Sequence, residues 1–505
     1  MKIAGLDIGT TGCKCTVFDE NGKYLDKAYH SYPVQRNLSG HEIDVEALTE
    51  AVFEVIREMA ADYPDIAALG VTSLGESFVC VDEEDHPMHA SMIYTDPRGL
   101  DECQRLIGML GERKITEISG LRPHESYSIS KMMWMKEHRP EIWAKTRHIF
   151  LMQDYVVYCL SGVEQIDYSL ASRTMALDVR NLCWSEEIFA AAGIDPKLLS
   201  KVVPTGTIAG KITAATAERT GLSPETKIVS ISHDQIAAAV GSGAFSSEIA
   251  VDGAGTVECL TPVFDGIPDA EETEQMYQGY YSLVPYVIPG KYVAYAFSYT
   301  GGALIQWCTE TIAKQEAVLA AEERCSVNEY LERQYRQDHG EAADGPGSLL
   351  VLPYFAGAGT PYMDNGAKGA IIGMTMDTTA ADIYHGCMEG VAYEMYVNAR
   401  ALNAAGVQYK EIHATGGGAK SETWMQMKAD ILNVPVVSLK TPDAGTVGSA
   451  ILTGIAVGMF QDLEDAASHM VEVRKTFYPR PEKHEAYFEK YQKYERLYHA
   501  VRPLI

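Results

Sequence analysis

The stretch Asp7-Ile8-Gly9-Thr10-Thr11 decides the reading of this chain, because Asp252-Gly253-Ala254-Gly255-Thr256 repeats its pattern almost half a chain later. The first copy follows the apolar run Ile3-Ala4-Gly5-Leu6 and passes through Gly12 and Lys14 into Thr16-Val17-Phe18. That order reads as two strands joined by a turn of small residues. Such a turn lets backbone N–H groups and hydroxyls approach a polyphosphate, while a carboxylate beside it can hold a metal ion through water. Two hairpins of this kind facing one another would grip a nucleotide from both sides. Taken alone, the pair also fits two unrelated Gly-Thr turns, so the rest of the chain has to decide.

Length agrees with a duplicated plan. The 505 residues exceed what one hydrophobic core serves and suggest two domains of roughly 250 each. Apolar residues make up 46% and charged residues 22%, the balance of an ordinary globular protein. A net charge of -27 argues against nucleic-acid or anionic-membrane partners, which the overall field would repel. The ten cysteines show no metal-ligand spacing, since Cys13-Lys14-Cys15 is too close for a zinc pair and has no second pair. They read as reduced thiols of a cytoplasmic protein. No signal-peptide pattern and no run of ~18 apolar residues is present, so neither secretion nor a membrane span is expected.

Strand-like runs alternate with helical patterns, which gives an α/β class. Asp44 to Met59 reads as an amphipathic helix. Ile66 to Thr72 reads as a buried strand ending in the turn Ser73-Leu74-Gly75-Glu76-Ser77, with Phe78 to Asp82 as the returning strand of a hairpin. Lys227 to Ser232 is a strand that feeds His233-Asp234-Gln235 and then the small-residue helix Ile236 to Gly241. A domain boundary falls near residue 245. The second half holds a hairpin over Ile249 to Thr261, a Tyr-rich stretch, a helix opening at Gly301-Gly302, and a long helix over Thr379 to Ala404. A strand over Glu411 to Thr415 then runs into Gly416-Gly417-Gly418-Ala419-Lys420 and a helix to about Leu432.

These residues carry a resemblance. The chain resembles the FGGY family of carbohydrate kinases, within the superfamily that includes Hsp70 and actin. Asp7 to Thr11 with Lys14 is similar to the family's first phosphate motif, and Ser126 to His138 to its first signature. Phe355 to Asp364 with Ala367-Lys368-Gly369, and Gly416 to Ser421 followed by Asp443-Ala444-Gly445 and Gly448-Ser449-Ala450, resemble further family segments in family order. The resemblance implies two actin-like (ribonuclease H-like) domains with mixed sheets flanked by helices and a cleft between them. Residues 1–245 would bind the sugar and carry the base, and 246–505 would bind ATP.

Phosphoryl transfer to a hydroxyl needs an in-line oxygen, neutralised phosphate charge and a base. Asp234, at a strand-to-helix junction, fits either a helix cap or that base; the resemblance implies the base. It also implies Asp7, with Asp234, at a Mg2+ ion, and Thr10, Thr11 and Lys14 at phosphates. Gly255 and Thr256 would approach from the second domain, with Gly301, Gly302 and Gln306 at a phosphate or ribose. Gly417, Gly418, Ala419 and Asn433 would line the adenine pocket. Where glycerol kinases carry Arg-Glu and xylulokinases Met-His, this chain has Gly75 and Glu76. Glu76 can accept from two adjacent hydroxyls, but a donor is missing, and His233 is the neighbour that could supply one. Gln235 is similar to glycerol kinases, whereas Ser126 replaces a tyrosine that they use. Asp96 and Arg98 match an Asp-x-Arg element that either lines the sugar site or braces its loop. The resemblance thus implies a xylulokinase-like kinase of a ketose or polyol, with a sugar-acid kinase as the alternative, and it admits a homodimer. A nucleotide-switched binding protein of the Hsp70 or actin type uses the same cradle and remains the reading from another class.

Overall fold

The computed structural model describes residues 1–37, 40–440 and 443–505. Its first sheet contains β1 (Lys2–Ile8), β2 (Gly12–Phe18), β3 (Tyr24–Ser31), β4 (Ile66–Ser73), β5 (Thr207–Lys211) and β6 (Lys227–His233), in the order β5-β6-β4-β1-β2-β3. β1 runs parallel to β4, and β4 to β6, whereas β1-β2-β3 is an antiparallel meander. Alternation of side chains along β1 sorts its residues between two faces. Ala4, Leu6 and Ile8 join the cluster of Val45, Leu48, Val52 and Ile56 from α1 (Val45–Asp62). Helix α1 starts where expected because the Asp44 side chain accepts from Ala47 N at 3.0 Å. Ile3, Gly5 and Asp7 point to the other face.

The second sheet places β7 (Ile249–Ala254) beside β8 (Glu258–Asp265) as an antiparallel hairpin. β7 runs parallel to β9 (Glu411–Thr415), and β10 (Val436–Leu439) and β11 (Val473–Phe477) complete that edge. Thr379 caps the 25-residue helix Ala380–Ala404 with a capping box.

Two helices bring the halves together. α2 (Asp234–Gly241) follows β6, and α4 (Ala444–Ala456), although it lies far downstream, packs against α2, β1 and β4. The crossing is tight because glycine occupies both contact points. A β-carbon at Gly241 would lie 1.9 Å from Ala444 O, and one at Gly448 would lie 1.8 Å from Ala237 O.

One expected strand pairing is corrected. Phe78–Val81 does not return along β4; it pairs antiparallel with His148–Leu151 in a separate ribbon. Both edges of β4 are occupied, by β1 and by β6, so no backbone groups remain for a hairpin partner. Among the described residues no helix is long and apolar enough to cross a membrane.

Candidate active site

Asp7 owes its position to strand parity. It lies opposite Lys14 in the β1–β2 register and faces α4, where Asp443 caps the helix by accepting from Thr446 N at 3.4 Å. Lys14 Nζ sits 2.6 Å from Asp443 Oδ2 and 3.3 Å from Asp7 Oδ2. Lys14, expected on a phosphate, is thus held between two carboxylates from different halves of the chain. Asp7 Oδ1 is buried with no hydrogen-bond partner. Burial raises its pKa, Lys14 opposes that shift, and Asp443 adds to it. Between the strands, Gly9 N bonds to Gly12 O at 3.0 Å and the Tyr32 hydroxyl donates to Gly9 O. The turn is therefore fixed from below, with Thr10 half-buried and Thr11 exposed at its tip.

Asp234 is the first residue of α2, and His233, the last of β6, holds the cap position without a side-chain capping bond. The carboxylate is therefore not used as a helix cap. Its Oδ1 is sealed and accepts no hydrogen bond, although the side chain keeps 29% of its surface exposed. Burial pushes its pKa up to about 7, with the Asp7 and Glu76 charges adding to the shift. A carboxyl group that titrates there is matched to proton transfer at neutral pH. The junction is pinned by His233 N donating to Ser169 Oγ at 2.9 Å, and Ser169 Oγ donating to Asp167 Oδ2 at 2.8 Å. His233 Nε2 lies 3.1 Å from Asp234 Oδ1 without the alignment of a hydrogen bond, and its Nδ1 meets the Tyr295 hydroxyl at 3.2 Å. Burial, then Arg173, holds His233 well below its usual pKa, so the ring is neutral. Gln235 follows with an exposed side chain.

Gly75 and Glu76 stand in the turn after β4. Glu76 adopts φ 63° and accepts from Arg173 Nε at 2.7 Å. No local pattern around Arg173 or Tyr295 marks either residue in the sequence; both arrive from distant segments. Asp96 and Arg98 brace a loop. Arg98 donates to Asp96 Oδ1 and Oδ2 at 2.8 and 2.6 Å and to Glu42 at 2.6 Å, its guanidinium lying 5.0 Å from the Trp134 ring. Those bonds engage its Nε and Nη2 donors with protein carboxylates.

A cavity of about 1110 Å³ opens on the second half, and Gly255, Thr256, Gly302, Gln306, Gly417 and Gly418 line it. Gly302 N bonds Gly255 O at 2.8 Å, and Gly301 N bonds Thr256 O at 3.0 Å, which locks the hairpin tip to the start of the helix Gly302–Trp307. Ala419 lies in the short turn Gly418–Lys420, both ends of which line the cavity. Asn433 is a correction. It ends α3 (Glu422–Leu432) in the left-handed conformation and is exposed. The N-terminal end of that 11-residue helix lines the cavity, so Asn433 stands about 16 Å away along the axis. An Asn after a helix is a common C-cap, and that local role explains it.

Beneath the second hairpin lies a cluster that the sequence did not single out. Lys428 Nζ, fully buried, is 2.5 Å from Asp252 Oδ2 and also bonds Glu258, while the Trp424 ring lies 4.7 Å away. Burial and the Asp252 charge push Glu258 up to about 8.

Comparison with known proteins agrees with this geometry. Residues 2–241 match the N-terminal domain of the FGGY family of carbohydrate kinases, and residues 268–457 match its C-terminal domain. The chain is 27% identical over 515 residues to a xylulose kinase of Staphylococcus epidermidis, covering 99% of this chain and 97% of that one. It is 29% identical over 473 residues to a gluconokinase of Bacillus subtilis, covering 92% and 90%. The crystal structure of gluconate kinase from Lactobacillus acidophilus has the same fold, with a TM-score of 0.87 at 24% identity over 99% of this chain and 98% of that one. With both domain models matched in order on a fold built around two mixed sheets, the chain belongs to the FGGY family of carbohydrate kinases and is a phosphotransferase acting on a sugar-type alcohol.

Proposed function

We propose that the protein transfers the γ-phosphoryl group of ATP to a hydroxyl of an uncharged ketose or polyol, with Asp234 as general base. Asp234 carries the reading, since one of its carboxylate oxygens is buried without a partner and its pKa of about 7 suits a base at neutral pH. Asp234 takes the proton of the acceptor hydroxyl as that oxygen forms a bond to the γ-phosphorus, and the bond to the bridging oxygen of ADP breaks in line. The residues of 1–245 carry acceptor and base, and those of 246–505 carry ATP. Gly255, Thr256, Gly301 and Gly302 would lie beside the phosphates, where the absent side chains allow close approach although the N–H groups of the three glycines are already bonded within the hairpin and helix start, while Gly417, Gly418 and Ala419 leave space for the flat base.

The residues also suit a divalent cation, because Asp7 Oδ1 and Asp234 Oδ1 are buried oxygens without hydrogen-bond partners. Asp7, with Asp234, would hold Mg2+, which when bound offsets phosphate charge. Thr10, Thr11 and Lys14 lie at the same turn and would contact the phosphates, Lys14 by exchanging Asp443 for a phosphate oxygen.

An uncharged acceptor is favoured by Glu76, which would repel an acceptor carboxylate placed beside it, and whose Arg173 partner leaves the pair neutral. A sugar acid is the second reading, supported by the similarity to a gluconokinase. ADP release with Mg-ATP against ketoses, polyols and aldonates, run beside Asp234→Asn, tests both. The substitution is expected to lower turnover by about 10²- to 10⁴-fold with ATP binding kept. Undiminished turnover would remove Asp234 from the mechanism, and a response to aldonates alone would replace the neutral acceptor with the acid.

A further inference from the structure

The acceptor end holds a cation that the transfer step does not use. Arg173 follows the short helix Tyr168–Ser172, and both its Nε and its Nη2 bond to the same Glu76 oxygen, Oε1. Glu76 Oε2 has no hydrogen-bond partner among the described residues, and Arg173 Nη1 is buried without one. The guanidinium centre lies 5.2 Å from the Tyr127 ring and 5.5 Å from the Tyr295 ring. Tyr295 in turn meets His233, next to the base.

Gly75 makes this arrangement fit. A β-carbon there would lie 3.0 Å from Arg173 Cγ and 3.1 Å from His233 Nε2, so any side chain at 75 would displace one of them. Glu76 itself holds a left-handed backbone, which for a residue with a β-carbon persists only where neighbours over-determine it. The two-point contact with Arg173 provides that restraint, and a planar guanidinium does so better than an ammonium group could.

We infer that Arg173 is the positioning residue for acceptor specificity: it fixes the Glu76 carboxylate through Oε1, leaving Oε2 to accept from neighbouring hydroxyls of an uncharged polyhydroxy acceptor. The inference rests on the kinase reading above. Because Arg173 acts through Glu76, its loss changes acceptor affinity and leaves the nucleotide half alone.

The test measures KM for the acceptor and for ATP separately in wild type, Arg173→Gln, Arg173→Lys, Glu76→Gln and the Arg173→Gln/Glu76→Gln double variant. The probes are a 2-ketopentose, a pentitol, glycerol and an aldonate. Arg173→Gln is expected to raise the acceptor KM about 10- to 100-fold, the scale of one charged hydrogen bond, with the ATP KM within about twofold of wild type. Arg173→Lys should fall between, and the double variant should be no worse than either single one. An unchanged acceptor KM, a parallel rise in the ATP KM, or additive losses would overturn the inference. Activity with the aldonate alone, weakened by Arg173→Gln, would overturn the uncharged class. If no probe stimulates ADP release from wild type while ATP still binds, the proposed acceptor reading fails, and this assignment fails with it.

Discussion

Each Gly-Thr hairpin, with one residue from or capping a helix packed against it, gathers the same set of charged groups, two carboxylates and one lysine, in opposite settings. At the first, the Asp7, Lys14 and Asp443 side chains keep 11%, 29% and 19% of their surface. At the second, Asp252, Glu258 and Lys428 are sealed, with side-chain exposures of 2%, 0% and 0%. The first set joins the two halves of the chain through α4. The second ties both legs of one hairpin to α3. Open charges can exchange partners with a nucleotide or a cation at small cost, because water solvates whichever group is released. Sealed charges cannot, because an unpaired ion in the interior carries a heavy desolvation penalty. Similar chemistry is thus left partly solvated at one hairpin and sealed as a fastening at the other.

Kinetics offers the largest contrast. On the proposed reading Asp7→Asn should reduce turnover by about 10²-fold or more, since it removes a carboxylate that would hold the cation offsetting phosphate charge, while leaving thermal unfolding near wild type. Asp252→Asn should do the reverse, and a matching loss of turnover without loss of stability would erase the distinction. Next in size is stability. Lys428→Met removes the cation from between two buried carboxyl groups and should cost about 3–5 kcal/mol in denaturant unfolding. Lys14→Met should cost less than that, because Lys14 and Asp443 are partly solvated. Equal costs would mean that the first cluster is as structural as the second.

The smallest effect is a pH dependence. The native pKa of Asp234 is raised to about 7 from 3.8. The native state therefore binds this proton more tightly than the unfolded chain does. The stabilising contribution is complete below about pH 4 and is lost as pH rises through 7. Asp234→Asn, which is never ionised, should therefore gain stability relative to wild type at pH 8 but not at pH 4. A difference of a few degrees in melting temperature is the expected scale. No change in that difference between the two pH values would show that Asp234 is solvated as an ordinary surface carboxylate. The kcat/KM profile should rise with pH up to about 7, the opposite slope, because the base must be ionised to act.

Much of this architecture is legible in local pattern. The β1–β2 and β7–β8 hairpins, the junction at Asp234 and the strand Glu411–Thr415 stand where apolar runs and small-residue turns place them. Asn433 misled because a glycine triplet and a residue 15 positions on look adjacent in a motif, while a helix carries them apart. The ribbon of Phe78–Val81 misled because occupancy of a strand's two edges is a property of the sheet and not of the segment.

The sequence by itself determined the α/β class, the family, the paired hairpins and the carboxylate at the strand-to-helix junction, because each rests on residues close together in the chain. Only the tertiary structure decided which charges meet. Arg173 reaches Glu76 across 97 positions, Lys428 reaches Asp252 across 176, and Lys14 reaches Asp443 across 429. Such pairs leave no periodicity or spacing in the sequence. Whether each is sealed or open depends on the packing of helices that local pattern places only one at a time, and that packing sets whether its charges can exchange partners.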